Sequence, residues 1–226
     1  MYAHEVAEKD FMRRMQERQP YRAYPPMPAD AHADDIIRVY LTERKLDWKL
    51  ATSGQAPAGW YVSTSAGDSW VRIVIPCVNT NGFRFWQARA VEEGVKPKYQ
   101  SPHGVAREDS LVVVWPRQSL VRPGLAVIVE GPMDALAAAG AGTGVAGVAL
   151  MGTHPSHEAF DHIKRLFKTV LVIPDSDEAG LEAGITWQYE LNTRGVTALL
   201  KFLPDGYKDL AECPQAMRRR LTGEIA

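Results

Sequence analysis

The chain has 226 residues, 46% of them hydrophobic and 23% charged, and its 26 Lys and Arg against 27 Asp and Glu leave a formal charge of −1. That is apolar material for one large core or two small ones, and the absence of a global basic field means that nucleic-acid binding must come from a local patch. Cys77 and Cys213 stand far apart with no CxxC pair, which excludes a zinc ribbon and a disulfide framework and points to a reducing cytosol. The N-terminus is charged throughout, unlike a signal peptide, and no apolar run approaches the roughly 18 residues of a membrane span.

In chain order, residues 5–19 place Val6, Phe11, Met12 and Met15 at spacings that suit a short amphipathic helix. Four prolines in the nine residues Pro20 to Pro28 then predict an extended linker. Helical spacing returns over 33–50, with Ile36, Ile37, Tyr40, Leu41 and Leu46 on one side. From Trp60 to Val91 the period changes to two, and the Asn81-Gly82 pair predicts a hairpin. Residues 84–107 hold five basic residues against two acidic ones, a patch that can take phosphates or simply form a solvated loop. After Pro123 and Gly124 the pattern alternates strand and helix: strands at 125–130, 145–151, 170–174 and 196–203, with helices at 132–139, from about 156, at 178–194 and after Asp209. Such alternation predicts an α/β fold with a mainly parallel sheet, preceded by a smaller α+β unit.

The chemistry gathers at strand ends. LAVIVEG (125–131) and VLVIPDSDEAG (170–180) are dense apolar runs that stop at carboxylates beside a glycine. In a parallel sheet the C-terminal edge is the ligand-binding edge, so Glu130, Asp175, Asp177 and the later Asp209 meet there. Crowded carboxylates repel unless they ionise unequally or a cation neutralises them, and an all-oxygen donor set suits Mg²⁺ or Mn²⁺.

Other features have plainer readings. Gly142, Gly144 and Gly147 form a GxGxxG that follows a helix and precedes a strand, the reverse of a dinucleotide site. His154, His157 and Glu158 fit a helix start capped by Ser156. Trp60, Trp70 and Trp86 suit core packing better than base stacking, and Arg218 to Arg220 suit a solvated helix end.

EGPMDAL (130–136), Gly152-Thr153, PDSDEAG (174–180) and PDGYKDLAE (204–212) together resemble the Toprim domain of bacterial DnaG-type and bacteriophage primases. Upstream, WVRIVIPCVNTNGFRFWQARAV and KPKYQSP are similar to the basic amino-terminal subdomain of the primase core, so the resemblance covers roughly 35–212. It implies an N-terminal helix and linker (1–30), a basic subdomain (31–122) and a Toprim domain with a C-terminal helix (123–226). By the resemblance, Glu130 matches the glutamate of acid/base or metal-associated chemistry, Asp175 and Asp177 the metal-binding pair, and Asp209 a further metal ligand. Gly131, Asp134 and Gly180 match supporting positions, while Arg84, Arg89, Lys96, Lys98 and Tyr99 match the residues that hold template or nucleotide. The chain departs from the family at Asp209-Leu210-Ala211, where many primases have Asp-Pro-Asp. The usual preceding zinc-binding domain and a following helicase domain have no counterpart in this sequence.

The resemblance implies a metal-dependent nucleotidyltransferase making short primers on single-stranded DNA from nucleoside triphosphates. Its setting would be the cytoplasm of a bacterial or phage-infected cell, in phage or mobile-element replication, with a helicase or zinc-domain protein acting in trans. The alternatives are a Toprim nuclease using the same acids, which the basic subdomain disfavours, and a non-catalytic single-strand-binding replisome module. A topoisomerase would need further domains, and a receiver-like sheet does not predict Glu-Gly at an earlier strand end.

Overall fold

The computed structural model describes residues 30, 35–52, 59–64, 70–79, 84–102, 110–116 and 124–223, with the side chains of Val78, Asn79 and Arg84 excepted. The expected helix at 5–19, the proline-rich linker and the Asn81-Gly82 turn lie outside the described residues.

Two short helices come first, α1 (Asp35–Glu43) and α2 (Trp48–Thr52), with Ile37, Tyr40, Leu41 and Leu50 buried. Between them Lys45 adopts a left-handed φ of 55°, Leu46 N–H donates to Leu41 (2.8 Å) and Lys45 N–H to Thr42 (2.9 Å). This is a Schellman ending with lysine in the position that usually takes glycine, and it turns the chain sharply after Arg44. The strands β1 (Tyr61–Ser63), β2 (Arg72–Asn79), β3 (Arg84–Ala90) and β4 (Tyr99–Gln100) are antiparallel, and the register Val78↔Arg84 fits the expected hairpin.

β5 (Ser110–Val114) is buried along its whole length and joins the two halves, pairing antiparallel with β2 and with β7 (Ala146–Ala149). β6 (Leu125–Val129), β8 (Thr169–Val172) and β9 (Thr197–Leu200) complete a sheet in the order β4-β3-β2-β5-β7-β6-β8-β9, with β1 on β2. The last four strands in that order are parallel, as the alternation of strand and helix predicts.

Alternation along the strands separates two cores. Val127 and Val129 face the cluster that holds α1, α2, α3 (Pro132–Ala139) and α6 (Gln215–Thr222), whereas Ala126 and Ile128 face α4 (His157–Leu166) and α5 (Glu178–Thr193). Pro132 opens α3, where a missing N–H costs nothing. Ser156 caps α4 by accepting Ala159 N–H at 3.2 Å, so His157 belongs to a helix start. Gly147, third of the GxGxxG glycines, is fixed by packing: a Cβ there would stand 1.8 Å from the Ala135 carbonyl oxygen of α3. Trp60 and Trp86 are buried as expected, but Trp70 is 47% exposed.

Candidate active site

β6 and β8 are neighbours in register, so the residues following them, Glu130 and Asp175, leave the sheet side by side. Met151, with a left-handed φ of 62°, donates its N–H to the Glu130 carbonyl at 3.0 Å and fixes the turn after β7 against it. On the other side α5 is drawn close by two glycines. A Cβ on Gly180 would lie 2.5 Å from the Asp175 carbonyl oxygen, and one on Gly184 would lie 2.6 Å from the Pro174 ring. The glycine of the DxDxxG pattern therefore lets the helix N-terminus close onto the strand end that carries Asp175.

Asp177 has a different place. It is exposed and caps α5, accepting the Gly180 N–H at 2.9 Å. Its charge reaches Asp175, but it does not line the cleft in front of Glu130.

The loop after β9 brings in Asp209. Ser176 N–H donates to the Lys208 carbonyl (2.9 Å), and Lys208 N–H to the Glu212 carboxylate (3.1 Å). Asp209 caps the short 3-10 turn Leu210–Glu212. Ala211 N–H donates to Asp134 Oδ1 at 2.9 Å, and Asp134, in the first turn of α3, is buried. From α6, Arg218 donates to the Ala211 carbonyl and, at 2.9 Å, to the Lys45 carbonyl. Arg218 is only 2% exposed, which corrects the expectation of a solvated helix end for that residue, whereas Arg219 and Arg220 are exposed. The fold closes α6 over the loop, and the guanidinium satisfies carbonyls that burial would otherwise leave unpaired.

These acids load one another. Burial, then Glu130, Asp209 and Asp177, push the Asp175 carboxyl up to about 7, although Lys208 opposes this. Burial, with Asp209 and Asp175, holds Asp134 well above the usual carboxylate range.

The facing wall is basic. Lys98 is exposed at the head of β4 and lines the same cleft as the acids; partial burial and Arg89 lower its pKa, while Asp209 and Asp134 act the other way. Arg89 donates to the hydroxyls of Tyr40 and Tyr99 and lies against both rings. Burial pushes the Tyr99 hydroxyl up to about 12, so it remains protonated. Fully buried Arg72 donates to the carbonyls of Ala88 (3.3 Å) and Pro97 (3.2 Å), fixing the backbone just before Lys98. Arg44 lies 3.8 Å over the Tyr40 ring.

A cleft of about 600 Å³ separates the walls. It brings together Glu130, Gly131, Asp134, Asp175, Asp209, Arg89, Lys98 and Tyr99, all named from the sequence. It also contains Arg44, Lys45, Lys208, Cys213 and Arg218, which were not singled out as site residues. Lys208 stood in view within PDGYKDLAE, whereas Arg44 resembles any charge on an amphipathic helix. Lys96 is exposed and lines an adjoining hollow of about 460 Å³ with Arg44, Arg89 and Lys98.

Residues 127–213 match the Toprim-like family. The chain has the fold of a primase catalytic core. It superposes on the zinc-binding and RNA-polymerase domains of Aquifex aeolicus primase with a TM-score of 0.60 at 23% identity, over 83% of this chain and 55% of that one. A DnaG primase catalytic domain bound to single-stranded DNA matches with 0.57 at 21% identity, over 84% of this chain and 69% of the other. The E. coli primase catalytic core gives 0.60 at 19%, over 82% and 72%. The chain thus spans about half the length of the Aquifex protein. No curated protein matches its sequence.

Among the described residues no three His, Cys, Asp or Glu side chains converge closely enough to hold a metal ion by themselves. The Toprim-like edge nevertheless fits Mg²⁺, which typically takes one or two carboxylates and completes its shell with water and substrate phosphate. The donors are all hard oxygens, and the raised Asp175 is the electrostatic mark of negative charge that a cation relieves. Among the described residues no helix is long and apolar enough to cross a membrane.

Proposed function

We propose that this chain is a primase-type nucleotidyltransferase that joins nucleotides on a single-stranded DNA template. The observation that carries this reading is the division of one cleft into a carboxylate edge, strained enough to push Asp175 up to about 7, and a facing wall of Lys98, Arg89 and Arg44. A nuclease needs the acids; the basic wall serves a triphosphate and a template strand as well. The primase fold of the solved relatives, one of them bound to single-stranded DNA, supports the same reading. On this reading the chain would divide into an N-terminal segment to about residue 30, a basic subdomain to about 122 and a Toprim domain beyond.

One or two of Asp175, Glu130 and Asp209 would hold Mg²⁺ or Mn²⁺ together with water and substrate phosphate, with Asp177 contributing through its charge. When bound, the ion polarises the phosphoryl group and neutralises charge on the departing pyrophosphate. Lys98, Lys208 and Arg44 bind phosphate oxygens and orient the triphosphate. A Glu130 carboxylate oxygen accepts the proton of the attacking 3′-hydroxyl. Lys96 extends the cationic path along the template, and the resemblance adds Arg84 to the residues that hold it.

Incubation with single-stranded DNA, nucleoside triphosphates and Mg²⁺ or Mn²⁺ should yield short oligonucleotides, and Asp175→Ala should lose at least about a hundredfold in rate. Cleavage of the template in place of synthesis would turn the reading to a nuclease. Tight single-strand binding without either reaction would turn it to a binding module.

A further inference from the structure

We infer that Arg218 is a positioning residue that sets the spacing between the two walls of the cleft; this rests on the nucleotidyl-transfer reading above. Its guanidinium is buried at 2% exposure and bonded at both ends to main chain: to the Lys45 carbonyl in the turn after α1, and to the Ala211 carbonyl in the acidic loop. Lys45 follows Arg44 directly, and Ala211 lies two residues beyond Asp209, so one side chain of α6 ties the basic wall to the acidic one.

The tie has little slack at either end. The Lys45 peptide is held by the left-handed Schellman turn. The Ala211 peptide is held from its other side, since its N–H donates to buried Asp134. A guanidinium can donate to two carbonyls in fixed directions, which a lysine ammonium on a flexible stem cannot reproduce. Nε of Arg218 is also buried and has no hydrogen-bond partner in the fold. Both terminal nitrogens are engaged by main-chain carbonyls, so Arg218, although it lines the cleft, acts through the peptides it holds. Burying a cation against neutral carbonyls costs stability, offset in part by Asp134 and Asp209 nearby. Leucine or methionine would fill the same core more cheaply.

The test compares Arg218→Met and Arg218→Lys in the full chain, each in the wild-type and the Asp209→Asn background. Three quantities are measured: kcat and KM for primer synthesis, Mn²⁺ affinity, and amide hydrogen exchange of residues 205–213. If the residue positions the walls, Arg218→Met lowers kcat by about 10–100-fold with KM changed less than about threefold, and weakens Mn²⁺ by about tenfold. It speeds exchange in the 205–213 loop, yet adds under about threefold to the loss already caused by Asp209→Asn. Arg218→Lys keeps a cation at the position but does not recover kcat. Full recovery of kcat by Lys, or equal losses in both backgrounds, would overturn the inference. If Arg218→Met does not fold, the Lys variant decides alone. A wild type that makes no primers, but whose Mn²⁺ affinity and loop exchange still respond to Arg218→Met, would sink the primase reading and leave this one standing. A wild type that neither binds Mn²⁺ nor makes primers contradicts both.

Discussion

Asp175 carries the cost of the site. Its carboxyl titrates at about 7 in the fold against 3.8 free, so between these values the native state binds more protons than the unfolded chain. Stability contributed by the protonated form is therefore present at low pH and lost as pH rises toward 7, the reverse of a salt-bridged aspartate. Asp175→Asn should then raise the melting temperature by about 2–4 °C near pH 8 and by under about 1 °C near pH 4 in thermal unfolding, while lowering activity. An Asp175→Asn variant that melts below the wild type near pH 8 would contradict the assignment. Millimolar Mg²⁺ should stabilise the wild type and not the variant, since a ligand stabilises only the state that binds it. At this scale the sequence is legible for Glu130 and Asp175, because acids after buried strands have few other uses, and for Asp209 only through the PDGYKDLAE motif. It is less legible for Asp177, since a helix cap and a metal ligand ask for the same residue type. It is least legible for Arg72 and Arg218, whose burial is decided by carbonyls brought from 25 residues away at Pro97 and 173 residues away at Lys45.

Among the elements, α5 is the one most closely fitted to the site. Gly180 and Gly184 face Asp175 and Pro174 at distances no side chain can share. Gly180→Ala should push the helix off the strand end, destabilising by about 1–3 kcal/mol in denaturant unfolding and lowering activity further than the stability loss explains. The same helix also closes the edge of the sheet. Asn192 accepts from the Ala198 N–H at 3.0 Å and, with Gln188, donates to the Ala198 carbonyl, so the outer side of β9 offers little for another strand to pair with. Asn192→Ala should cost about 1–2 kcal/mol and promote concentration-dependent self-association in sedimentation experiments. The parallel strands and the first three helices after Gly124 are readable within about three residues, because each βα unit records its period, cap and stop locally; the helix expected after Asp209 begins only at Gln215, beyond a 3-10 turn. β5 is not: SLVVV has no distinguishing period, and its role is set by β2 and β7, one on either side of it in the sheet.

Over the whole molecule, a near-neutral chain separates its charges across one cleft. The acids Glu130, Asp175 and Asp209 come from the strand ends and the loop after β9, and Arg44, Arg89 and Lys98 from the turn after α1, β3 and the start of β4. Lys208 on the acidic loop and Glu43 beside Arg44 are the exceptions. Lys98→Ala should weaken single-stranded DNA binding with little regard to sequence and reduce the slope of log K against log salt by about 0.7. An unchanged slope in a salt titration would remove Lys98 from the phosphate path. The division between basic and Toprim parts is visible in the sequence as a change of period. That the two parts share one sheet and one core is not, because their joint is made of long-range pairings and a buried arginine. The central claim is that the divided cleft transfers nucleotides, and template-dependent release of pyrophosphate tests it most directly. The account predicts release that requires single-stranded DNA and Mg²⁺ or Mn²⁺, and that disappears in Asp175→Ala while the circular dichroism spectrum is kept. Release that is absent from the wild type, or that survives Asp175→Ala unchanged, would contradict it.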